Sequence, residues 1–327
     1  MYNFLLINAR KAACSIYKNG YMIYEALCDS PHYNLEYVEL QDLDVTALNA
    51  GKIVFKDGRQ LPDFDAYIFN YHHYTMRLME GVLSENFHKL PGLKYAIILE
   101  MLPDEPVCFT LDISYRNGHF NGYMVIDPTM KYGDPKFFSF PRPLPKASVK
   151  EYQPRDIPVI GSFGLPQPNK GFDLLVNAVN QEFDQAVIRL NFPAGSYTAG
   201  YTIDREVEAH CRNIAKPGID IQISNHYFTD EELVEWLAQN TVNAFFYRRK
   251  VPGLSAAIDQ AVMSGRPIVV SDNISFRHVH MYQPPHPTMT FKWAMESGTL
   301  YTKRMQAEWN YNKFYDTFLE MVFDQED

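Results

Sequence analysis

The chain has 327 residues, 46% of them hydrophobic, which is long for a single core and sufficient for two. Its formal charge of −9 argues against a nucleic-acid partner, because a polyanion groove needs a sustained basic field. Four cysteines, Cys14, Cys28, Cys108 and Cys211, stand at wide and irregular spacings, so neither a metal site nor a disulfide framework is expected.

In chain order, the apolar run over 2–8 reads as a first strand rather than a secretory leader. A loop over 9–19 and a helix over 20–28 follow. Strands are expected over 33–39, 64–70 and 92–100. The last is a continuous apolar run, as in a parallel strand buried on both faces. Another strand is expected over 122–127, and this alternation is the pattern of a doubly wound sheet. Residues 134–154 are dense in proline and read as a linker and domain boundary.

A second α/β series begins at 157. Strands over 157–163, 186–190, 219–224, 242–247 and 267–271 alternate with helices over 170–182, 202–215, 229–239 and 255–264. Thr229 followed by Glu232 predicts a capping box at the third of these helices. The tail over 302–323 is helical in its spacing, with Trp309, Phe314, Phe318 and Met321 on one side. No segment is long and apolar enough to span a bilayer, and a cytoplasmic location is expected, with peripheral membrane or partner-protein contact left open.

Three loops follow strand ends and carry candidate chemistry. The first is Gly161-Ser162-Phe163-Gly164 through Lys170-Gly171, a strand-to-helix turn of the kind that presents backbone N–H groups to phosphate, with Lys170 as an added cation. The second is Arg248-Arg249-Lys250, three cations directly after a buried strand, followed by Gly253-Leu254-Ser255 at a helix start. Arginine forks suit diphosphate oxygens, and Ser255 is a candidate N-cap or phosphate donor. Asp259 lies in the helix beyond, placed to reach a ribose or simply solvated. The third is Ser271 to His280, with Arg277, His278 and His280; Arg277 is a candidate phosphate ligand. In the N-terminal half, Ser15, Lys18, Asn19, His72, His73, Glu100 and Asp104 also follow strand ends. Of these, His72 or His73 could face the cleft, and His72 and either carboxylate, Glu100 or Asp104, are the candidates for work on an acceptor hydroxyl. Each also has a plain reading as a turn, cap or solvated residue. Serine-hydrolase, zinc-protease, P-loop and complete dinucleotide-binding motifs are absent from the sequence.

Residues 157–278 resemble the donor-binding half of two-lobed glycosyltransferases of the GT-B fold, in particular the retaining group often called family 4. The segments that carry the resemblance are IGSFGLPQPNKGFDLLVNAV and FFYRRKVPGLSAAIDQAVMSGRPIVVSD. The tail around Trp309 is similar to that family's final helix, which crosses back to the first lobe. The resemblance implies an α/β protein of two Rossmann-like lobes, their parallel sheets facing each other across a cleft. It implies an acceptor-side domain over 1–150, a donor domain over 151–300, and a helix over 301–327 packing on the first domain.

The implied activity is sugar transfer with retention, from a nucleoside-diphosphate sugar to a glycan, lipid-linked or protein acceptor. No built-in cofactor or metal is implied, because Lys170, Arg248, Arg249 and the helix start near Ser255 would stabilise the departing diphosphate. Lys170 keeps the family's lysine position, while Ser162 stands at its arginine position. The family's paired glutamates fall on Pro252 and Gln260, and Asp259 lies one residue, about 100°, around the helix from the second. Two other readings stay open: a sugar-nucleotide or glycan-binding protein without turnover, and a nucleotide-sugar epimerase.

Overall fold

The computed structural model describes residues 1–11, 15–99, 118–131, 133–193, 203–248 and 253–323. They form two compact units, Met1–Pro145 with Trp309–Asp327, and Lys146–Glu308.

The first unit is built on a six-stranded sheet in the order β2-β1-β3-β4-β5-β6, every neighbouring pair parallel. Its strands are β1 (Tyr2–Asn8), β2 (Tyr33–Glu39), β3 (Ala66–Phe69), β4 (Leu93–Ile98), β5 (Gly122–Val125) and β6 (Phe137–Ser139). Successive side chains of β1 serve opposite faces, as strand geometry requires. Phe4 and Leu6 pack with Ile23 and Leu27 of α1 (Ser15–Leu27) and with Phe314, Phe318 and Met321 of the C-terminal helix Tyr311–Phe323. Leu5 and Ile7 join Tyr67, Phe69, Phe87 and Phe120 on the other face. Burial on both faces explains why the middle of β1 reads as an unbroken apolar run.

Three assignments here differ from the sequence reading. Helix α1 starts at Ser15, not at 20. Gly20 lies inside it because a Cβ there would run into the side-chain amides of Asn8 and Asn70, at the ends of β1 and β3. Strand β6 falls within the proline-rich stretch read as linker, since Phe137 pairs with Tyr123 and stacks on its ring at 4.7 Å. The expected tail helix is two helices, Phe291–Glu308 in the second unit and Tyr311–Phe323 in the first.

Arg77 holds Glu85 with both arms of its fork; the outer bond, from Arg77 Nη2 to Glu85 Oε1, is 2.9 Å. This hydrogen bonding pulls the Glu85 carboxyl from its ordinary 4.5 down to about 2, against the opposing effect of burial. A depressed folded-state pKa stabilises the fold above pH 4.5 and loses that contribution as pH falls toward 2. Melting curves of wild type and Glu85→Gln should therefore differ near neutrality and converge below pH 4.5. A constant gap across that range would show that the Arg77 pair does not set the acid arm.

The second unit has a five-stranded parallel sheet in the order β11-β10-β7-β8-β9. Its strands are β7 (Val159–Phe163), β8 (Ala186–Asn191), β9 (Ile219–Ser224), β10 (Val242–Phe245) and β11 (Ile268–Val270). The predicted capping box is present: Thr229 and Glu232 each bond the other's backbone N–H at the start of the helix Asp230–Ala238. Among the described residues no helix is long and apolar enough to cross a membrane.

Candidate functional site

The chain leaves β7 toward β8 and β9 on one side, then returns to place β10 and β11 on the other. The β7/β10 boundary is therefore a topological switch point, and in open α/β sheets the crevice beyond the strand carboxyl ends there is where ligands bind. Three loops leave the sheet at this edge, after β7, β10 and β11.

The loop after β7 turns at Gly164, whose φ of 145° favours glycine, and makes a 3-10 turn over Pro168–Lys170. The helix α2 (Phe172–Glu182) starts two residues later than its predicted start at 170. Gly171 has φ 62°, and a Cβ on it would collide with the Phe246 carbonyl oxygen at the exit of β10. Only glycine lets these two loops approach so closely. The Lys170 stem passes 3.9 Å from the Cβ position of Gly164. Its Nζ donates to the Tyr247 hydroxyl at 3.0 Å and lies 4.1 Å from the centre of that ring.

Tyr247 is buried and held by all three loops. Its hydroxyl meets Ser255 Oγ at 2.9 Å, its N–H donates to Ser271 Oγ at 3.1 Å, and its carbonyl accepts from Asn273 Nδ2 at 3.1 Å. Ser255 is buried and its N–H donates to the Ser275 carbonyl at 3.0 Å. It does not cap the following helix, Ala257–Met263, as the sequence suggested. That helix starts after Ala256, which makes no side-chain cap bond. The structure thus joins two predicted residues, Lys170 and Ser255, through a third that was read only as a strand end. Tyr247 lies just past β10, where ligand groups gather, and that position was the available signal; one tyrosine among 22 reads as packing.

Arg248 has a partner the sequence did not reveal. Its fork closes on both carboxylate oxygens of Asp173, in the first turn of α2, and Nη1 also reaches the Pro168 carbonyl at 3.3 Å. This hydrogen-bonded pairing holds the Asp173 carboxyl below its ordinary range despite partial burial. Arg248 therefore braces the loop after β10 against the start of α2. Arg249 lies outside the described residues, as do Lys250 and Pro252.

Gly161 is a buried residue of β7, and a Cβ there would meet the amides of Asn240 and Asn243, so its lack of a side chain serves packing. Ser162 is buried in the same strand. Gly253 and Leu254 are buried just before Ser255, and Asp259 is buried in the next helix rather than solvated. Arg277 folds back to the Ile274 carbonyl at 2.9 Å. His278 is buried, and burial pushes His280 below its ordinary range.

In the first unit, Asn19 is buried in α1, and His72 accepts from the Thr75 N–H at 3.3 Å, capping the turn His73–Met79. Glu100 and Asp104 lie outside the described residues. Among the described residues no group of three or more His, Cys, Asp or Glu side chains could hold a metal ion.

No family model matches the chain, and no curated protein matches it in sequence. Solved structures do match it. HepE of Anabaena, in complex with UDP-glucose, superposes with a TM-score of 0.66 at 11% identity, over 99% of this chain and 100% of its own. The lipopolysaccharide outer core galactosyltransferase WaaB gives 0.66 at 10% identity, over 99% and 100%. A UDP-forming α,α-trehalose-phosphate synthase from Burkholderia xenovorans gives 0.60 at 11% identity, over 98% of both chains. With two parallel α/β domains of six and five strands, the chain has the fold of the GT-B glycosyltransferases.

Proposed function

We propose that this chain transfers a sugar from a nucleoside-diphosphate sugar to an acceptor hydroxyl, with retention and without a resident metal or cofactor. The observation that carries this reading is the Lys170 ammonium at the β7/β10 switch point, beside the start of α2. A cation and a helix N-terminus at that edge suit a diphosphate. The unit Lys146–Glu308 would hold the donor and the first unit the acceptor, a glycan, lipid-linked intermediate or protein. HepE was solved with UDP-glucose, so a uridine diphosphate sugar is the first donor to try. We place the reaction in the cytoplasm.

In the proposed step the bond from the anomeric carbon to the diphosphate oxygen breaks, and its electron pair stays with the diphosphate. The acceptor oxygen bonds the anomeric carbon on the same face. Its proton passes to the departing phosphate oxygen, so no separate base is required. Lys170 offsets the negative charge that grows on the diphosphate, and a preformed cation does this without reorganising. Ser255 stands behind Lys170 at the same edge, connected to it through the Tyr247 hydroxyl.

Gln260, at the position of the family's second glutamate, favours one other reading, sugar-nucleotide binding without turnover. Its amide can hydrogen-bond but carries no charge. Calorimetric titration with UDP, UDP-glucose and GDP-, ADP-, TDP- and CMP-sugars, without metal and then with it, tests the donor site. Selective micromolar binding without metal is the expected result. Binding to none of them would remove the donor site. Binding with no nucleotide release across a panel of sugar, lipid and peptide acceptors would favour the non-catalytic reading.

A further inference from the structure

The geometry points to Tyr247 as the positioning residue that aims the Lys170 ammonium at the diphosphate, an inference that rests on the donor site just proposed. A lysine side chain has four rotatable bonds and ordinarily samples many directions. Here it is held at two points. The ammonium sits on both the hydroxyl and the ring face of Tyr247, at 3.0 and 4.1 Å. Tyr247 has little freedom of its own. Its ring lies 4.7 Å from that of Phe276, its N–H and carbonyl are tied to Ser271 and Asn273, and its hydroxyl meets Ser255.

The chemistry of the chain has a direction. An ammonium has hydrogens only to give, so the Tyr247 oxygen accepts from Lys170. Of three ammonium hydrogens one is used on Tyr247, and the others stay available for phosphate oxygens. The Tyr247 hydroxyl also meets Ser255 Oγ at 2.9 Å, and this buried contact holds its oxygen where Lys170 reaches it. Tyr247, on the loop after β10, thereby sets the direction of a donor on the loop after β7 without touching the ligand itself. Part of the ordering cost of Lys170 is met before the donor arrives, which raises affinity for the diphosphate and leaves the rest of the nucleotide unaffected.

The test compares UDP and uridine binding to the full chain by calorimetry, for wild type, Tyr247→Phe, Lys170→Ala and the double variant. Phenylalanine keeps the ring and removes the hydroxyl. Tyr247→Phe is expected to weaken UDP about 5- to 20-fold, the scale of ordering one lysine side chain on binding, and to leave uridine binding unchanged. In the Lys170→Ala background it should change UDP affinity by less than about twofold, because the two residues act as one unit. Ser255→Ala, should Tyr247→Phe fail to fold, is expected to show a smaller loss that also disappears without Lys170.

Equal UDP losses in both backgrounds, or a matching loss of uridine affinity, would assign Tyr247 a purely structural role. So would unchanged UDP affinity in both Tyr247→Phe and Ser255→Ala. A wild-type chain that binds no UDP removes the donor site and this inference with it. UDP binding that is insensitive to Tyr247 leaves the donor site standing and overturns the positioning role alone.

Discussion

Gly171→Ala is expected to destabilise the second unit by roughly 3 kcal/mol, the sum of left-handed backbone strain and overpacking. Its φ is 62°, and its Cβ would collide with the backbone oxygen of Phe246, which no rotamer change can move aside. Phe246 is followed by Tyr247, whose backbone N–H and carbonyl are both bonded, so displacing the strand exit disturbs the bonds to Ser271 and Asn273. The thermal transition of this unit should fall by on the order of 10 °C. Gly81→Ala is the matched control. Its φ of 74° carries the same backbone strain, but nothing lies within 4 Å of the added methyl. It should cost only about 1 kcal/mol. Equal melting shifts for the two variants would mean that the close approach of Gly171 to β10 does not constrain the fold.

Lys170→Ala should weaken UDP affinity about 10- to 100-fold, the ~1.5–3 kcal/mol associated with a hydrogen bond to a charged group. The variant should melt close to wild type, since the side chain it removes is only partly buried and its lost partner Tyr247 keeps its bond to Ser255. Arg248→Ala should do the opposite. Its fork is already closed on Asp173, so UDP affinity should change by less than about threefold while stability falls by about 1 kcal/mol or less, as expected for a partly exposed pair. Titration calorimetry and melting curves of the two variants separate these outcomes. An affinity loss in Arg248→Ala as large as that in Lys170→Ala would show that Arg248 leaves Asp173 to take the diphosphate.

Much of the fold was legible because strands and helices declare themselves through neighbouring residues. The apolar stretch in β1, the capping box at Thr229 and Glu232, and Lys170 in a strand-to-helix loop are local patterns, and the structure contains each of them. The boundaries that were misplaced are those set by distant partners. Gly20 looks like a break before a helix, yet it lies inside one because Asn8 and Asn70 press against it. Strand β6 is three residues long and becomes a strand only by pairing with β5.

The same division holds at the site. The amino-acid order by itself determined which cations and hydroxyls follow strand ends, and hence that phosphate chemistry was a reasonable expectation. Only the tertiary structure decided which of them meet. The pairing of Val242 with Ile160 brings the loops after β7 and β10 together, so that Lys170 rests on Tyr247 and Arg248 is engaged by Asp173, 75 residues earlier. Local pattern acts through residues one turn or one pleat away, whereas the partner of a long cationic side chain is chosen by the order in which strands pack.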